Sequence, residues 1–244
     1  MTISFIVTSY NYANFIQETI KSIKNQTYKD FEIIVVDDFS TDNSVEILQK
    51  IDGIKLICHD ENKGQLASII TGLKYATGDY ISIIDSDDTI YSEYAQTLIE
   101  ELENNDIALV CCNSKETKIL TPKNATFGGW WWTPMSCGML KKEYITCLLN
   151  YKNTKYWKIC PDKLIFNLAH LQGNSKIINK ILVNKREHDK NAGKTNFRFF
   201  VNLQNNFIIR KETLKILSNK EYRGIIYKSY FHIFTQFINF CNKK

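Results

Sequence analysis

The sequence predicts an α/β fold: a Rossmann-like, mostly parallel sheet with helices on both faces, followed by C-terminal amphipathic helices. Three observations predict it. In residues 1–90 of 244, apolar β-branched runs and helical spacing of apolar residues alternate four times, the signature of a doubly wound sheet. Three of the runs end in polar clusters, SYNY, DDFS and DSDD, and ligands of such sheets bind beyond the carboxyl ends of the strands. Near the C-terminus, Lys228, His232, Gln236, Asn239 and Lys243 form a narrow polar stripe on an otherwise apolar helical pattern, an amphipathic helix with a wide apolar face.

Each element has a local reason. Ser4 to Thr8 (SFIVT) is a buried strand, and the loop SYNYAN follows it. A helix is expected to start near Asn14, with Gln17 as its capping-box partner. Ile16, Ile20 and Ile23 give it a core face. Phe31 to Val36 is the second strand and ends in Asp37 and Asp38. Asp42 or Ser44 can cap the helix VEILQK. Ile54 to Cys58 is a third strand. Gln65 to Tyr75 is a helix with Leu66, Ile69, Ile70 and Leu73 inward. Gly78 and Asp79 turn the chain into a fourth strand carrying Ile81, Ile83 and Ile84. Beyond it, Tyr91 to Leu102 is expected to be a helix and Ile107 to Cys112 a strand. Residues 113–127 are expected to form a loop, Lys142 to Leu149 a helix, and Asp162 to open another helix. Lys176 to Val183 is a strand, followed by a charged loop over 185–191.

The fourth strand ends in Asp85, Asp87 and Asp88, with only Ser86 between the first two. Carboxylates this close repel one another unless a cation sits among them. Hard oxygen ligands suit Mg²⁺ or Mn²⁺, which bind a substrate's phosphates as well. The plain alternative is a solvated acidic turn. A second feature is Trp130, Trp131 and Trp132. Three adjacent tryptophans cannot all face one core, so at least one is expected to line a pocket or a surface. Their flat faces suit the C–H faces of sugars, and the plain alternative is a packed core edge.

Composition narrows the class. The seven cysteines are odd in number and lack CxxC or Cys/His ligand spacing, so reduced thiols in a cytosol are expected rather than disulfides or zinc. The opening residues carry no basic leader or cleavage site, so no signal peptide is expected. No uninterrupted apolar run is long enough to span a bilayer. The net charge of +5 hides an asymmetry: residues 176–244 carry 15 Lys and Arg against 4 Asp and Glu, a net of +11, which leaves −6 for residues 1–175. A basic tail on an acidic body suggests an anionic partner. With its aromatic face the tail suits an anionic membrane surface; packing on the domain's own core is the alternative. Nucleic acid is disfavoured, because no groove-reading motif or aromatic/basic sheet face is present.

SFIVTSYNY, then VVDDFSTD, then NKGQLASIITGLKYATGDYISIIDSDD closely resemble the nucleotide-binding half of family 2 glycosyltransferases of the GT-A fold. The match is dense over about the first 90 residues and thin beyond residue 115, where two features persist. Asp162 in CPDKLIF matches the family's acidic position at a helix start, although Pro161 replaces the usual Glu before it. Arg186-Glu187-His188 matches a basic/His loop. The resemblance implies a division into 1–112, the nucleotide-sugar-binding half; 113–193, the acceptor-binding half; and 194–244, the basic helical tail.

It also implies roles. Tyr10 looks like the aromatic that stacks on the donor base, and Asp38 like the acceptor of the base's N3–H, which suits uracil or thymine. Asp37 is the alternative loop-holding acid. Thr8, Lys63, Gln65, Asp85 and Ser86 look like further donor contacts. Asp87 looks like the metal ligand, with Asp88 either behind it or serving as a structural helix cap. Arg186 is assigned to the donor pyrophosphate, and His188 to the pyrophosphate or the metal. Asp162 looks like the base that deprotonates an acceptor hydroxyl, and Trp130, Trp131 and Trp132 are assigned to the acceptor or sugar pocket.

The expected activity is metal-dependent (Mn²⁺ or Mg²⁺), inverting transfer of a hexose or N-acetylhexosamine. The donor is a nucleoside-diphosphate sugar, most simply UDP-linked. The acceptor is a hydroxyl of a growing cell-surface glycan or lipid-linked acceptor at the cytoplasmic face of the inner membrane. Transfer to a polyprenyl phosphate is the close alternative. A nucleotidyltransferase is disfavoured by the lack of glycine in TSYNYAN. A non-catalytic binding module is disfavoured by the presence of both Asp87 and Asp162.

Overall fold

The structure, a computed structural model, describes residues 1–104, 107–115, 126–127, 130–131, 133–154, 161–186, 188, 212–213 and 216–217, with the backbone alone at 104, 126–127 and 130–131. The expected helix at Glu221–Lys244, Trp132, and most of the 187–191 loop lie outside the described residues. No helix among the described residues is long and apolar enough to cross a membrane.

In chain order the elements are β1 (Ile3–Ser9), α1 (Ala13–Lys24), β2 (Phe31–Asp37), α2 (Ser44–Gln49), β3 (Lys55–Cys58), α3 (Gln65–Tyr75), β4 (Tyr80–Asp85), β5 (Thr89–Ile90) and α4 (Tyr94–Asn104). Then come β6 (Leu109–Ser114), β7 (Thr126–Phe127), β8 (Trp130–Trp131), a 3₁₀ turn over Met135–Cys137, β9 (Gly138–Lys141), a 3₁₀ helix over Lys142–Asn150, α5 (Asp162–Gln172) and β10 (Ser175–Asn184). Among the described residues, eight strands form one sheet in the order β3-β2-β1-β4-β9-β6-β10-β5, and β7 and β8 pair separately.

β3, β2, β1 and β4 are mutually parallel. β9 runs antiparallel between β4 and β6, so β6 again points with β4, as does its parallel partner β10. The sheet is thus mostly parallel, with antiparallel strands at β9 and β5. One sheet runs through both the first half of the chain and residues 138–184.

Helices cover both faces, and strand alternation decides which residues meet them. Ile6, Ile34, Val36, Ile81 and Ile83 pack with α3, α5 and the 142–150 helix. Phe5, Val7, Ile33, Val35 and Ile84 pack on the other face with α1 and α4. The expected inward residues of α1, Ile16, Ile20 and Ile23, are all buried.

Several expected boundaries shift for physical reasons. α1 starts at Ala13, not Asn14, and has no side-chain cap of its own. Its first N–H is taken by Asp42, 3.1 Å away on the neighbouring loop, so a long-range carboxylate replaces the local capping box. Residues 142–150 wind as a 3₁₀ helix rather than an α-helix. β9 falls where no strand was expected: GMLK is too short and mixed to show alternation. Gly138 at its start is required by close approach, since a Cβ there would lie 2.5 Å from the Phe166 ring of α5. That contact seats α5, and Asp162 at its start, against the sheet.

Candidate active site

The carboxyl ends of β1, β2 and β4 lie side by side, because Ser9 pairs with Asp37 and Thr8 with Asp85 in register. The polar clusters therefore share one edge. β4 ends in a tight turn closed by Asp88 N–H donating to Asp85 C=O at 3.0 Å. Oxygens of Asp85, Asp87 and Asp88 lie within 4.8 Å of one another.

The electrostatics of this turn are unfavourable as it stands. Burial, Asp88 and Asp87 push the Asp85 carboxyl well above the ordinary carboxylate range. Burial and Asp87 push Asp88 up to about 6, against the lowering effect of a hydrogen bond from Ser136. Among the described residues, Asp88 Oδ1 is buried with no hydrogen-bond partner. Three clustered carboxylates, one with an unpartnered oxygen, fit a hard divalent cation, which would relieve both the repulsion and the unmet acceptor.

Around the turn the chain supplies fixed partners. Gln65, the first residue of α3, donates to Asp85 Oδ1 at 2.7 Å and lies 3.5 Å from Thr8 Oγ1. Thr19 of α1 donates to Ser86 C=O at 2.8 Å. Ser136 Oγ accepts from Asp85 N–H at 3.0 Å and donates to Asp88 at 2.7 Å. His188 Nε2 lies 3.0 Å from Asp87 Oδ2. Its ring stacks on Phe15 at 4.6 Å and meets Tyr12 edge-on at 5.7 Å. Burial and the three aspartates push the Tyr12 phenol up to about 12, so it stays a neutral O–H.

Arg186 lies along α1. Its guanidinium donates to the C=O of Asp87 and Phe15, to Glu18, and to Thr19 Oγ1 at 2.9 Å, and it sits 5.0 Å from the Phe15 ring. It ties the acidic turn to α1. A cavity of about 220 Å³ beside it is lined by Asn11, Tyr12, Phe15, Asp42 and His188 among others.

At the β1–β2 edge the two acids divide. Asp37 is fully buried and holds its own turn, accepting from Ser40 N–H at 2.8 Å and Ser40 Oγ–H at 2.6 Å. Asp38 Oδ1 accepts from Lys63 N–H at 2.9 Å and lies 2.7 Å from His59 Nδ1, while Oδ2 accepts from Gly64 N–H at 2.7 Å. Gly64 makes this possible with φ 87°, a left-handed conformation open to glycine. Three of about four acceptor positions of Asp38 are therefore filled. The Lys63 side chain points elsewhere and pairs with Asp60. Tyr10 is 44% exposed at the same edge.

Asp162 starts α5, accepting from Lys163 N–H at 2.9 Å. Burial pushes its carboxyl up to about 6, and its charge adds to the upward pressure on Asp85, so the two belong to one electrostatic site. Trp130 and Trp131 form β8, which lies beside α5.

The structure thus brings together Thr8, Gln65, Asp85, Ser86, Asp87, Arg186 and His188, with Asp162 coupled to them. Tyr10, Asp38 and Lys63 gather at the neighbouring edge. Sequence reasoning did not find Ser136, Thr19, His59 or Thr71. Each is a lone polar residue with no motif spacing, and only the fold brings it to its partner.

A family model described as glycosyl transferase family 2 matches residues 4–182. The chain is 39% identical over 115 residues to the glycosyltransferase GlyG of Streptococcus pneumoniae, covering 46% of this chain and 38% of that protein. It is 30% identical over 192 residues to an uncharacterized glycosyltransferase of Haemophilus influenzae, covering 75% and 55%. The chain therefore spans only part of the length of these relatives. Among solved structures, TarS 1–349 of S. aureus in complex with UDP-GlcNAc superposes with TM-score 0.70 at 19% identity, covering 88% of this chain and 67% of that one. The mannosyltransferase PcManGT of Pyrobaculum calidifontis, in complex with GDP-Man and Mn²⁺, superposes with TM-score 0.70 at 17% identity, covering 94% and 69%. At these identities the likeness is one of fold, the GT-A type. The ordered motifs of the first 90 residues, the sheet they build and a family match running from β1 almost to the end of β10 converge: the chain belongs to glycosyl transferase family 2.

Proposed function

We propose that the chain is a metal-dependent, inverting glycosyltransferase that moves a hexose or N-acetylhexosamine from a UDP-sugar to a hydroxyl of a growing cell-surface glycan. One observation carries this reading. A triad of carboxylates converges within 4.8 Å at the end of β4, and an electrostatically coupled carboxyl at about 6, Asp162, opens α5. The first suits a cation and a diphosphate; the second suits a general base.

Asp87 would hold Mn²⁺ or Mg²⁺ with Asp85 and Asp88, and His188, whose Nε2 lies 3.0 Å from Asp87, would add a nitrogen ligand. When bound, the metal supplies positive charge to the diphosphate as it leaves. The rest falls to the chain. Tyr10 stacks on the base, and the remaining acceptor position of Asp38 takes the base's N3–H. Gln65 and Thr8 orient Asp85 toward the ribose. Arg186 acts by fixing the acidic turn on α1. Asp162 takes the proton of the acceptor hydroxyl as that oxygen attacks the anomeric carbon. A single displacement inverts the configuration and needs no covalent enzyme intermediate. The acceptor is assigned to residues 113–193, with Trp130 to Trp132 at the sugar. The basic tail is assigned to the cytoplasmic membrane surface, where lipid-linked glycans lie. Support for the donor class comes from neighbours of the same fold solved with UDP-GlcNAc, and with GDP-Man and Mn²⁺.

The test is calorimetric binding of UDP with and without Mn²⁺, repeated with Asp87→Ala. Binding that needs the metal and is lost in the variant is expected. Binding of GDP but not UDP changes the donor class. No nucleotide binding overturns the reading.

A further inference from the structure

Phe39 stands in a conformation its side chain does not favour. Its φ is 69°, in the left-handed region that bulky L-residues rarely adopt. Its ring is 50% exposed, so burial does not account for it. Among the described residues the ring stacks on no other aromatic. Asn11 is the other non-glycine residue with positive φ, at 60°, and its case differs. Asparagine tolerates this region, and its Oδ1 accepts from Thr41 N–H at 2.8 Å.

The position of Phe39 suggests what the ring meets. Asp38 N–H donates to Ser9 C=O at 2.8 Å, and Asn11 N–H donates to Ser40 Oγ at 2.9 Å. Ser9 and Asn11 flank Tyr10; Asp38 and Ser40 flank Phe39. Two bridges therefore set Tyr10 and Phe39 opposite each other across the seam between the β1 and β2 loops. Both are large, exposed aromatics. Beside them is the Asp38 carboxylate, 4% exposed, with one acceptor position unfilled among the described residues. A flat apolar group with a polar edge matches this combination: aromatic contact for its face, a carboxylate for its N–H.

We infer that Phe39 is a donor-specificity residue that contacts the face of the nucleobase alongside Tyr10. This rests on the nucleotide-sugar reading above. The left-handed turn, held by both oxygens of Asp37 on Ser40, presents the ring at the sheet edge instead of letting it fold onto the core.

The experiment uses the full chain with Mn²⁺ and compares wild type, Phe39→Asn and Phe39→Tyr. Asparagine keeps the left-handed turn but has no ring; tyrosine keeps the ring. Each protein is melted, then titrated with UDP and with inorganic pyrophosphate, which has no base. Phe39→Asn is expected to melt at the wild-type temperature or above it. It should bind UDP about tenfold more weakly, as loss of a base–aromatic contact gives, and bind pyrophosphate unchanged. Phe39→Tyr should bind UDP as wild type does. If Phe39→Asn binds UDP with wild-type affinity, the inference fails while the donor reading stands. If it loses UDP and pyrophosphate equally, the turn rather than the ring is responsible, and the inference fails. If wild type binds pyrophosphate but no nucleotide, the donor reading fails and this inference with it.

Discussion

Ser136 donates to the Asp88 carboxylate at 2.7 Å, joining the second half of the chain to the acidic turn built by the first. The same hydroxyl takes the Asp85 N–H, so one buried oxygen fixes the turn at both ends. Its bond holds Asp88 lower than burial and Asp87 would leave it. Ser136→Ala should therefore raise the Asp88 carboxyl further and let protons compete better with a cation. The pH at which Mn²⁺ binding is half complete should rise, and urea stability should fall by about 1–3 kcal/mol from the unmet Asp85 N–H. Mn²⁺ titrations across pH and a denaturation curve check both.

Asp162 should separate stability from turnover. Its folded carboxyl, at about 6, holds protons more tightly than the ordinary value of 3.8. The folded state thus binds more protons between these values. The stability this lends is fully present below about pH 4 and is lost as pH rises through about 6. Asp162→Asn cannot ionise. It should match wild type at about pH 4 and be more stable at neutral pH, by on the order of 1–3 kcal/mol. If the carboxylate is the base, kcat should fall by orders of magnitude while UDP binding persists. In wild type, log kcat should drop with unit slope below about pH 6. A variant that loses stability and UDP binding together at neutral pH would mark Asp162 as structural.

How much of this was legible depends on range. The βαβ alternation and the Asp85–Asp88 turn show in the sequence because both are local: a β-branched run, then acids within four positions. The inward faces of α1 and α3 show for the same reason. What failed to show is long-range. α1 lacks a local cap because Asp42 supplies one from another loop. β9 is a four-residue strand, GMLK, whose pairing is decided by its neighbours β4 and β6. The arrangement of Arg186 over α1 joins residues far apart in sequence, which no spacing rule reaches. Asp38 likewise reads as a motif acid, yet its three donors come from residues 59–64.

His59 should govern Asp38. Its Nδ1 lies 2.7 Å from Asp38 Oδ1 and its Nε2 lies 2.9 Å from Thr71 Oγ1, with the side chain 6% exposed. One tautomer satisfies both: Nδ1–H donates to the carboxylate, and Nε2 accepts from the threonine. His59→Ala removes a donor from a buried carboxylate and strands Thr71. A stability loss of about 1–3 kcal/mol is expected. UDP should bind more weakly, with kcat at saturating donor little changed, because on the proposed reading Asp38 meets the base and not the reacting carbon. His59→Gln, which can still donate, should recover part of the UDP affinity; full affinity in His59→Ala would remove this role.

Arg186→Lys should behave as a severe change rather than a mild one. The guanidinium reaches Asp87 C=O, Phe15 C=O, Glu18 and Thr19 Oγ1 together, and it stacks on Phe15, which also carries His188. An ammonium is a point charge with no fork and no flat face. It can keep one or two of these bonds and none of the stacking. The Asp87 carbonyl would then lose its anchor, and the Phe15 ring that stacks on His188 would lose its guanidinium contact. Affinity for Mn²⁺ should fall by about tenfold or more, the scale seen when groups that orient metal ligands are lost. Stability should fall by about 1–3 kcal/mol, since a largely buried hydrogen-bonded charge is being misplaced. If Arg186 instead touches the donor alone, Mn²⁺ titrated without nucleotide should bind Arg186→Lys and wild type equally, and only UDP binding should weaken. Comparing those two titrations decides whether the residue shapes the acidic turn or grips the diphosphate.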